Sequence, residues 1–109
     1  MSHTIGDEIE KAKKKYHDRV ICIVRPVSVE LSKTKYVLPP KMRVSEFLIV
    51  LRKYMPSLKE TDAIFLYRDS YFNQKIYRCS DTFDNIKDDF DDGVVNLILT
   101  IENTFGDIV

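Results

Sequence analysis

The segment that decides the fold is Val94 to Ile101, which reads VVNLILTI near the C-terminal end of the 109-residue chain. A run this rich in β-branched and aliphatic residues predicts a core strand. The turn signal Asp91-Asp92-Gly93 precedes it. A similar run, Arg19 to Val27, predicts another strand, and its nearly continuous apolar stretch indicates a central position covered on both faces.

The segments between these runs predict a hairpin partner and the main helix. Lys35 to Leu38 is typical of a short strand paired with the first, and Pro39-Pro40 ends it because proline donates no ladder hydrogen bond. Apolar residues then recur at helical spacing over about Val44 to Tyr54, and Pro56 stops that helix. The remaining predicted elements are a third strand at Ala63 to Tyr67, a short acidic helix at Ser80 to Asp89 and a short amphipathic helix over about residues 7–16.

This order of helices and strands predicts an α+β protein with a ubiquitin-like β-grasp fold. We expect a four-stranded mixed sheet with the main helix across it and a short N-terminal helix. The first and last strands should pair in parallel, which requires the intervening crossover and buries both strands. Residues 1–106 would form a single domain, and residues 107–109 a removable C-terminal tail.

Composition and charge argue against several classes of protein. The chain carries 17 basic and 17 acidic residues, and no apolar run approaches the ~20 residues of a membrane span. The charged N-terminus lacks the apolar region of a signal peptide, so we expect a cytoplasmic protein. Lysines at positions 11 and 13–15 have no aromatic platform beside them, which favours a solvated helix face over nucleic-acid binding.

The cysteines and histidines do not match a catalytic or metal site. Cys22 and Cys79 are far apart and fit no metal or redox spacing, which indicates free thiols in a reducing compartment. His17 is close to Cys22 in sequence, but no third residue completes a nucleophilic triad. His3 and His17 lack partner ligands at metal-site spacing. We therefore expect a protein that is not an enzyme and needs no cofactor or metal.

The C-terminal tail suggests covalent attachment to another molecule. After the last strand the chain continues to Phe105-Gly106 and ends with residues 107–109. Glycine has no Cβ, so a backbone that ends in glycine can pass through a narrow active-site channel of another protein. Removal of residues 107–109 would place the free carboxylate on Gly106. The alternative interpretation is an ordinary frayed terminus.

Three motifs occur in order along the chain, at Lys14 to Val24, Lys35 to Lys53 and Glu102 to Gly106. Together they resemble the autophagy ubiquitin-like modifiers, the family that includes the GABA-receptor-associated protein, over residues 7–106. The chain would be a divergent member, because its shortened N-terminus is too short for the additional first helix of the family. Arg25 also replaces the acid usual after the first strand, and Ala12 replaces a larger aliphatic residue.

The resemblance implies a mechanism of processing and conjugation. A cysteine protease would cleave after Gly106, next to Phe105, and an activating and a conjugating enzyme would transfer the Gly106 carboxylate to phosphatidylethanolamine. The lipid-linked monomer would then recruit cargo receptors and autophagy factors to the autophagosome membrane. Two alternatives stay open, a modifier attached to a protein lysine and a ubiquitin-like interaction domain that is never conjugated.

The resemblance also implies docking of peptides that carry an aromatic residue and an aliphatic residue three positions later. Such a peptide would add a strand at Lys35 to Leu38. Arg19 and Arg52 would pair with acids that flank the motif. From the residue types alone we expect Ile23, Phe47 and Val50 to belong to the core, and the tips of Lys35, Tyr36 and Arg52 to stay solvated. The implied aromatic pocket comprises Glu8, Ala12, Ile21, Ile23, Lys35, Val37 and Val94, and the implied aliphatic pocket comprises Tyr36, Leu38, Pro39, Met42, Phe47 and Val50.

Overall fold

The computed structural model describes residues 10–12, 14–15, 17–68 and 75–102. Residues 10–12 and 14–15 are helical, within the helix expected over residues 7–16. The later elements are β1 (Val20–Pro26), β2 (Lys35–Leu38), α1 (Val44–Arg52), β3 (Ala63–Arg68), β4 (Lys75–Ile76), α2 (Phe83–Ile86), a 3-10 turn (Lys87–Asp89) and β5 (Val95–Glu102). No helix among these residues is long and apolar enough to cross a membrane.

The strands form one mixed sheet in the order β2-β1-β5-β3-β4. β1 and β5 pair in parallel, with Cys22 opposite Val95 and Val24 opposite Leu97, while the other neighbouring strands are antiparallel. The parallel central pair confirms the β-grasp expectation. The expectation of four strands is wrong, because β4 adds a fifth. β4 has only two residues, too few to show the alternation that identifies a strand in sequence.

The main core lies between one face of the sheet and α1. Alternate residues of a strand face opposite sides, so Cys22 on β1 and Leu97 on β5 are buried in this core. Phe47 on α1 is fully buried, and its ring meets that of Phe83 edge to face with centroids 5.2 Å apart. Burial of a large apolar side chain of this kind stabilises the fold by roughly 1.5–3 kcal/mol. Aromatic packing therefore joins α1 to α2 above the sheet.

The starts of the two helices fix each other. The backbone N–H groups of Val44 and Ser45 donate to the carbonyls of Asp81 and Cys79, and the N–H of Phe83 donates to the carbonyl of Met42. These contacts satisfy N–H groups that have no partner within the first turn of a helix. α2 accordingly begins at Phe83 and passes into the 3-10 turn, which makes the α-helix shorter than the expected Ser80 to Asp89.

The other face of the sheet, which we call the outer face, carries a second set of buried residues. Ile21, Val94 and Ile98 are buried but do not belong to the main core cluster. Ile21 and Ile98 alternate with core residues along β1 and β5, so their side chains point away from α1. The exposed neighbours Arg25 and Asn96 lie on this face.

Candidate docking site at the edge of the sheet

β2 is an end strand of the sheet, as peptide addition requires. The N–H of Val24 donates to the carbonyl of Thr34 at 2.8 Å, and hydrogen-bonded pairs alternate along an antiparallel ladder. With Tyr36 opposite Cys22 and Val37 opposite Ile21, Tyr36 therefore bonds to β1. Val37 directs its N–H and carbonyl groups away from β1, toward the side on which an added strand would lie.

The two sides of β2 differ in character. Val37 lies on the outer face with 37% of its surface exposed, whereas Tyr36 and Leu38 are buried at 4% on the side of α1. In an extended peptide, residues three apart point to opposite sides, because the side-chain period is two. An aromatic residue over the outer face thus places an aliphatic residue three positions later toward α1. The spacing of the implied peptide motif matches this geometry.

The residues of the implied aromatic pocket lie mainly on the outer face. Ile21 pairs with Val37, and Ile23 pairs with Lys35 across the hairpin. Val94 directly precedes the residue of β5 that pairs with Cys22, which puts it beside Ile21. Ile23 is half-buried, so it is not a full member of the core as the residue types suggested. Ala12 is half-buried within the helical N-terminal residues, and Glu8 lies outside the described residues.

The implied aliphatic pocket combines core residues with an accessible rim. Phe47 is fully buried and Leu38 nearly so, and both form part of the main core cluster. Met42 and Val50 are half-buried and pack against that cluster, while Pro39 is exposed. The prediction that Phe47 is a core residue is therefore confirmed. An aliphatic side chain entering here would contact the rim and lie above Phe47.

Tyr36 corrects the expectation of a solvated tip. Its side chain is buried, and the hydroxyl donates a hydrogen bond to the carbonyl of Lys33. Desolvation raises the pKa of Tyr36 to about 12, with smaller contributions from Tyr54 and Cys22. The Lys33 ammonium lies 5.2 Å from the Tyr36 ring centroid and 5.3 Å from that of Tyr54. Lys33 thus covers the ring, an arrangement that depends on the loop before β2 and has no sequence signature.

A cavity of about 390 Å³ opens on the outer face of the sheet, next to the residues of the implied aromatic pocket. It is lined by Ile23, Arg25, Asn96, Leu97 and Ile98. The parallel pairing of β1 with β5 creates it by placing Arg25 opposite Ile98 and Ile23 opposite Asn96. Sequence reasoning missed this cavity because the residues of the two strands are about 70 positions apart.

Comparison with known proteins adds family membership to this geometry. The family model described as autophagy protein Atg8, ubiquitin like, matches residues 5–106. The chain belongs to the Atg8 family. It is 31% identical to autophagy-related protein 8 of Penicillium rubens over 105 residues, which covers 93% of this chain and 86% of that protein. Against autophagy-related protein 8 of Neurospora crassa the identity is 32% over 104 residues, covering 92% and 84%.

A solved structure agrees with the Atg8-family fold. The crystal structure of Trypanosoma brucei ATG8 superposes with a TM-score of 0.74 at 27% sequence identity, covering 97% of this chain and 95% of that one. The resemblance recognised in the three sequence motifs is therefore confirmed, and so is the ubiquitin-like fold class. The candidate docking site depends on the strand order of this sheet, in which β2 is an end strand.

The two arginines expected to flank the candidate docking site differ in their contacts. Arg19 is exposed just before β1. Arg52 is also exposed, and its Nη2 donates to the carbonyl of Asp62 at 2.9 Å. A carboxylate of a peptide would compete with that carbonyl for the guanidinium. The hydrogen bond to Asp62 therefore restricts the side chain of Arg52 more than that of Arg19.

A polar cluster surrounds Asp89 near β4, which is the end strand at the opposite edge of the sheet from β2. Its Oδ2 accepts hydrogen bonds from the Lys75 ammonium at 3.0 Å and the Tyr77 hydroxyl at 2.9 Å, while Arg68 donates to its backbone carbonyl. The bond from Lys75 and then that from Tyr77 hold the pKa of Asp89 below its usual 3.8. This cluster fastens the two-residue strand β4 to the 3-10 turn.

The remaining sequence predictions concern the C-terminal tail, the cysteines and a possible metal site. Phe105 and Gly106 lie outside the described residues, whose last strand ends at Glu102. Cys22 is buried and Cys79 exposed, and both are free thiols. Within the described ranges no cluster of three or more His, Cys, Asp or Glu side chains has the arrangement of a metal site.

Proposed function

We propose that this Atg8-family chain is a lipid-conjugated modifier of autophagy. A protease cleaves after Gly106, enzymes transfer the Gly106 carboxylate to the amine of phosphatidylethanolamine, and the anchored domain recruits receptors that carry aromatic-x-x-aliphatic peptides. The observation that carries the proposal is the family match over residues 5–106, which extends as far as Gly106. The domain is cytoplasmic before conjugation and lies on the autophagosome membrane afterwards.

The chemistry resides in the partner enzymes. A cysteine thiolate of the protease attacks the carbonyl of Gly106, the peptide bond to residue 107 breaks, and water releases the Gly106 carboxylate. The activating enzyme uses ATP to adenylate this carboxylate and captures it as a thioester on its own cysteine. After transfer to the conjugating enzyme, the lipid amine displaces the thiolate and forms an amide. The two acyl chains of the lipid then provide a stable anchor where one chain would be marginal.

The docking function draws support from the geometry of β2. The strand ends the sheet, Val37 directs its backbone polar groups toward an incoming strand, and side chains three apart in that strand reach different surfaces. On the outer face Ile21, Ile23 and Val94 offer apolar contacts, and Met42 and Val50 offer them beside α1. The aromatic side chain of such a peptide would contact the outer face, and its aliphatic side chain would contact the surface beside α1.

Two alternatives use the same fold. The Gly106 carboxylate could be joined to a protein lysine, or the chain could act as an interaction domain that is never conjugated. The residues after Gly106 favour a protein processed by a protease, because modifiers of the first alternative usually end at their glycine.

Mass measurement of the protein recovered from cells with an intact autophagy system tests the proposal. We expect a form ending at Gly106 that carries a phosphatidylethanolamine adduct. Gly106→Ala should abolish the adduct while the purified protein still unfolds cooperatively at an unchanged temperature. A chain that stops at Gly106 is the matched control, since it needs no protease and should still be conjugated. Persistence of the intact 109-residue form without lipid would refute lipidation, and an adduct on a protein lysine would favour the first alternative.

A further inference from the structure

Met42 is a partly exposed methionine in the loop between β2 and α1. Its side chain packs against the main core cluster but keeps part of its surface open to solvent. Met55, by contrast, is buried in that cluster with only 3% of its surface exposed. A dissolved oxidant must contact the thioether sulfur, so exposure favours the reaction. Met42 is therefore the more accessible of the two methionines within the part of the chain that the structure describes.

Backbone hydrogen bonds hold Met42 in place on two sides. Its N–H donates to the carbonyl of Pro39 at 3.1 Å, and its carbonyl accepts from the N–H of Phe83 at 3.0 Å. Val44, two residues later, begins α1. The backbone of Met42 is therefore fixed relative to the end of β2 and the start of α2, which keeps its side chain at the rim of the implied aliphatic pocket.

The side chains that share this pocket with Met42 offer no free hydrogen-bond donor. The hydroxyl of Tyr36 already donates to the carbonyl of Lys33. The other pocket residues carry hydrocarbon side chains, namely Leu38, Pro39, Phe47 and Val50. A polar group at Met42 would stay hydrated in the free protein, because this side chain is partly exposed, but would lose its water under a docked aliphatic side chain. Burial of a polar group without a hydrogen bond opposes binding.

We propose that Met42 is an oxidation site at which hydrogen peroxide converts the thioether into a sulfoxide and thereby weakens peptide docking. The inference rests on the proposed docking function and adds to it a chemical modification that controls affinity. The sulfur attacks one oxygen of the peroxide, an S–O bond forms, the O–O bond breaks, and the second oxygen leaves as water with both hydrogens. The sulfur is oxidised by two electrons and the peroxide is reduced. Methionine sulfoxide reductases restore the thioether with electrons from thiols, so the modification is reversible.

Treatment of the purified full chain with hydrogen peroxide tests the proposal. All proteins carry Cys79→Ser, which removes the exposed thiol as a competing target. Mass spectrometry of proteolytic fragments should find an added oxygen on Met42 while Met55 is still unmodified. A synthetic peptide with a tryptophan and a leucine three positions later should then bind about five- to thirtyfold more weakly than before treatment. Incubation with methionine sulfoxide reductases and a thiol should restore the affinity.

Two variants and a second peptide locate the effect in the pocket. Met42→Leu cannot form the sulfoxide, and it is compared only with itself before and after treatment. Its affinity should not change, although it retains Met1 and Met55. Met55→Leu should remain sensitive to peroxide. A peptide with alanine in place of the leucine leaves the aliphatic pocket unfilled, so oxidation should reduce its affinity much less than that of the leucine peptide.

The outcomes separate this inference from the docking function. Unchanged affinity for the leucine peptide after Met42 has been oxidised would overturn the role of Met42 and leave docking intact. Oxidation of Met55 before Met42, or an equal loss of binding by Met42→Leu, would assign the effect to another residue. An oxidised protein that no longer unfolds cooperatively would place the effect on the fold and not on the pocket, contrary to the proposal. Failure of the untreated protein to bind the peptide would refute docking itself and the inference with it.

Discussion

The rings of Tyr36 and Phe47 meet edge to face with their centroids 5.0 Å apart. Tyr36 lies on the end strand β2 and Phe47 on α1, so this contact joins the edge of the sheet to the helix that crosses it. Both residues belong to the main core cluster and to the aliphatic pocket of the proposed docking site. One aromatic contact therefore contributes both to the stability of the core and to the shape of the proposed site.

Truncation of the Phe47 side chain should remove a large part of the free energy of unfolding. Phe47 is fully buried and also contacts the Phe83 ring, so Phe47→Ala should lower the free energy of unfolding by about 3–5 kcal/mol. Urea denaturation at equilibrium measures the change. Ile49→Ala on the same helix is the control, since Ile49 is 63% exposed and its truncation should shift stability by only about 0.5 kcal/mol. Similar losses for the two variants would contradict the assigned burial.

Removal of one backbone donor should test strand addition at β2. Val37→Pro deletes an N–H group that points away from β1, and edge strands tolerate proline in such a position. Loss of a main-chain hydrogen bond should weaken an aromatic-x-x-aliphatic peptide about five- to tenfold, measured by titration calorimetry. Val37→Ala keeps the donor while trimming the side chain and should bind more tightly than Val37→Pro. Equal affinities for Val37→Pro and the wild type, with both folded, would rule out the backbone pairing.

The Asp89 cluster should make stability depend on acidic pH. Hydrogen bonds from Lys75 and Tyr77 lower the pKa of Asp89 in the folded state below 3.8. A carboxyl with a depressed folded pKa contributes stability that is fully present above the unfolded pKa and is lost as the pH falls through the folded pKa. The wild type should therefore lose more stability than Asp89→Asn between about pH 6 and about pH 2.

Urea unfolding of both proteins across this range checks the sign. The exposed neighbour Asp88 supplies the control Asp88→Asn, which should retain the pH dependence of the wild type. A pH dependence that is identical in wild type and Asp89→Asn would show that the cluster does not couple folding to the ionisation of Asp89.

The two thiols should differ sharply in reactivity. Burial raises the pKa of the Cys22 thiol, which suppresses the reactive thiolate, whereas Cys79 is exposed. The native protein should add one maleimide label rapidly at Cys79 and a second only on unfolding, as followed by mass spectrometry. Cys79→Ser should abolish the rapid addition. Rapid labelling of Cys22 in that variant would indicate local opening of β1.

Much of the fold follows directly from local sequence patterns. Lys35 to Leu38 forms the expected strand because Pro39-Pro40 limits it. α1 begins at Val44 as the apolar spacing indicates, and ends two residues before the expected Tyr54, as helix ends commonly fray before a proline. The continuous apolar runs of β1 and β5 correctly predict a parallel central pair.

Other structural features depend on contacts with residues elsewhere in the fold, which a local sequence pattern does not predict. The buried state of Tyr36 requires the loop carbonyl of Lys33 and the cover of the Lys33 side chain. β4 exists because Tyr67 and Arg68 provide pairing positions for Ile76 and Lys75. Such short elements are specified by neighbours in the fold and not by their own composition.

The sequence by itself determined the order of the elements apart from β4, the apolar face of the main helix and the motifs of the Atg8 family. Only the tertiary structure decided that Arg25 lies opposite Ile98 beside a cavity and that Val37 points its backbone groups outward from the edge. Periodicity along the chain reports which way a side chain points relative to its own backbone. Strand pairing and register decide what it meets there, because contacts between residues far apart in sequence form only when the sheet closes.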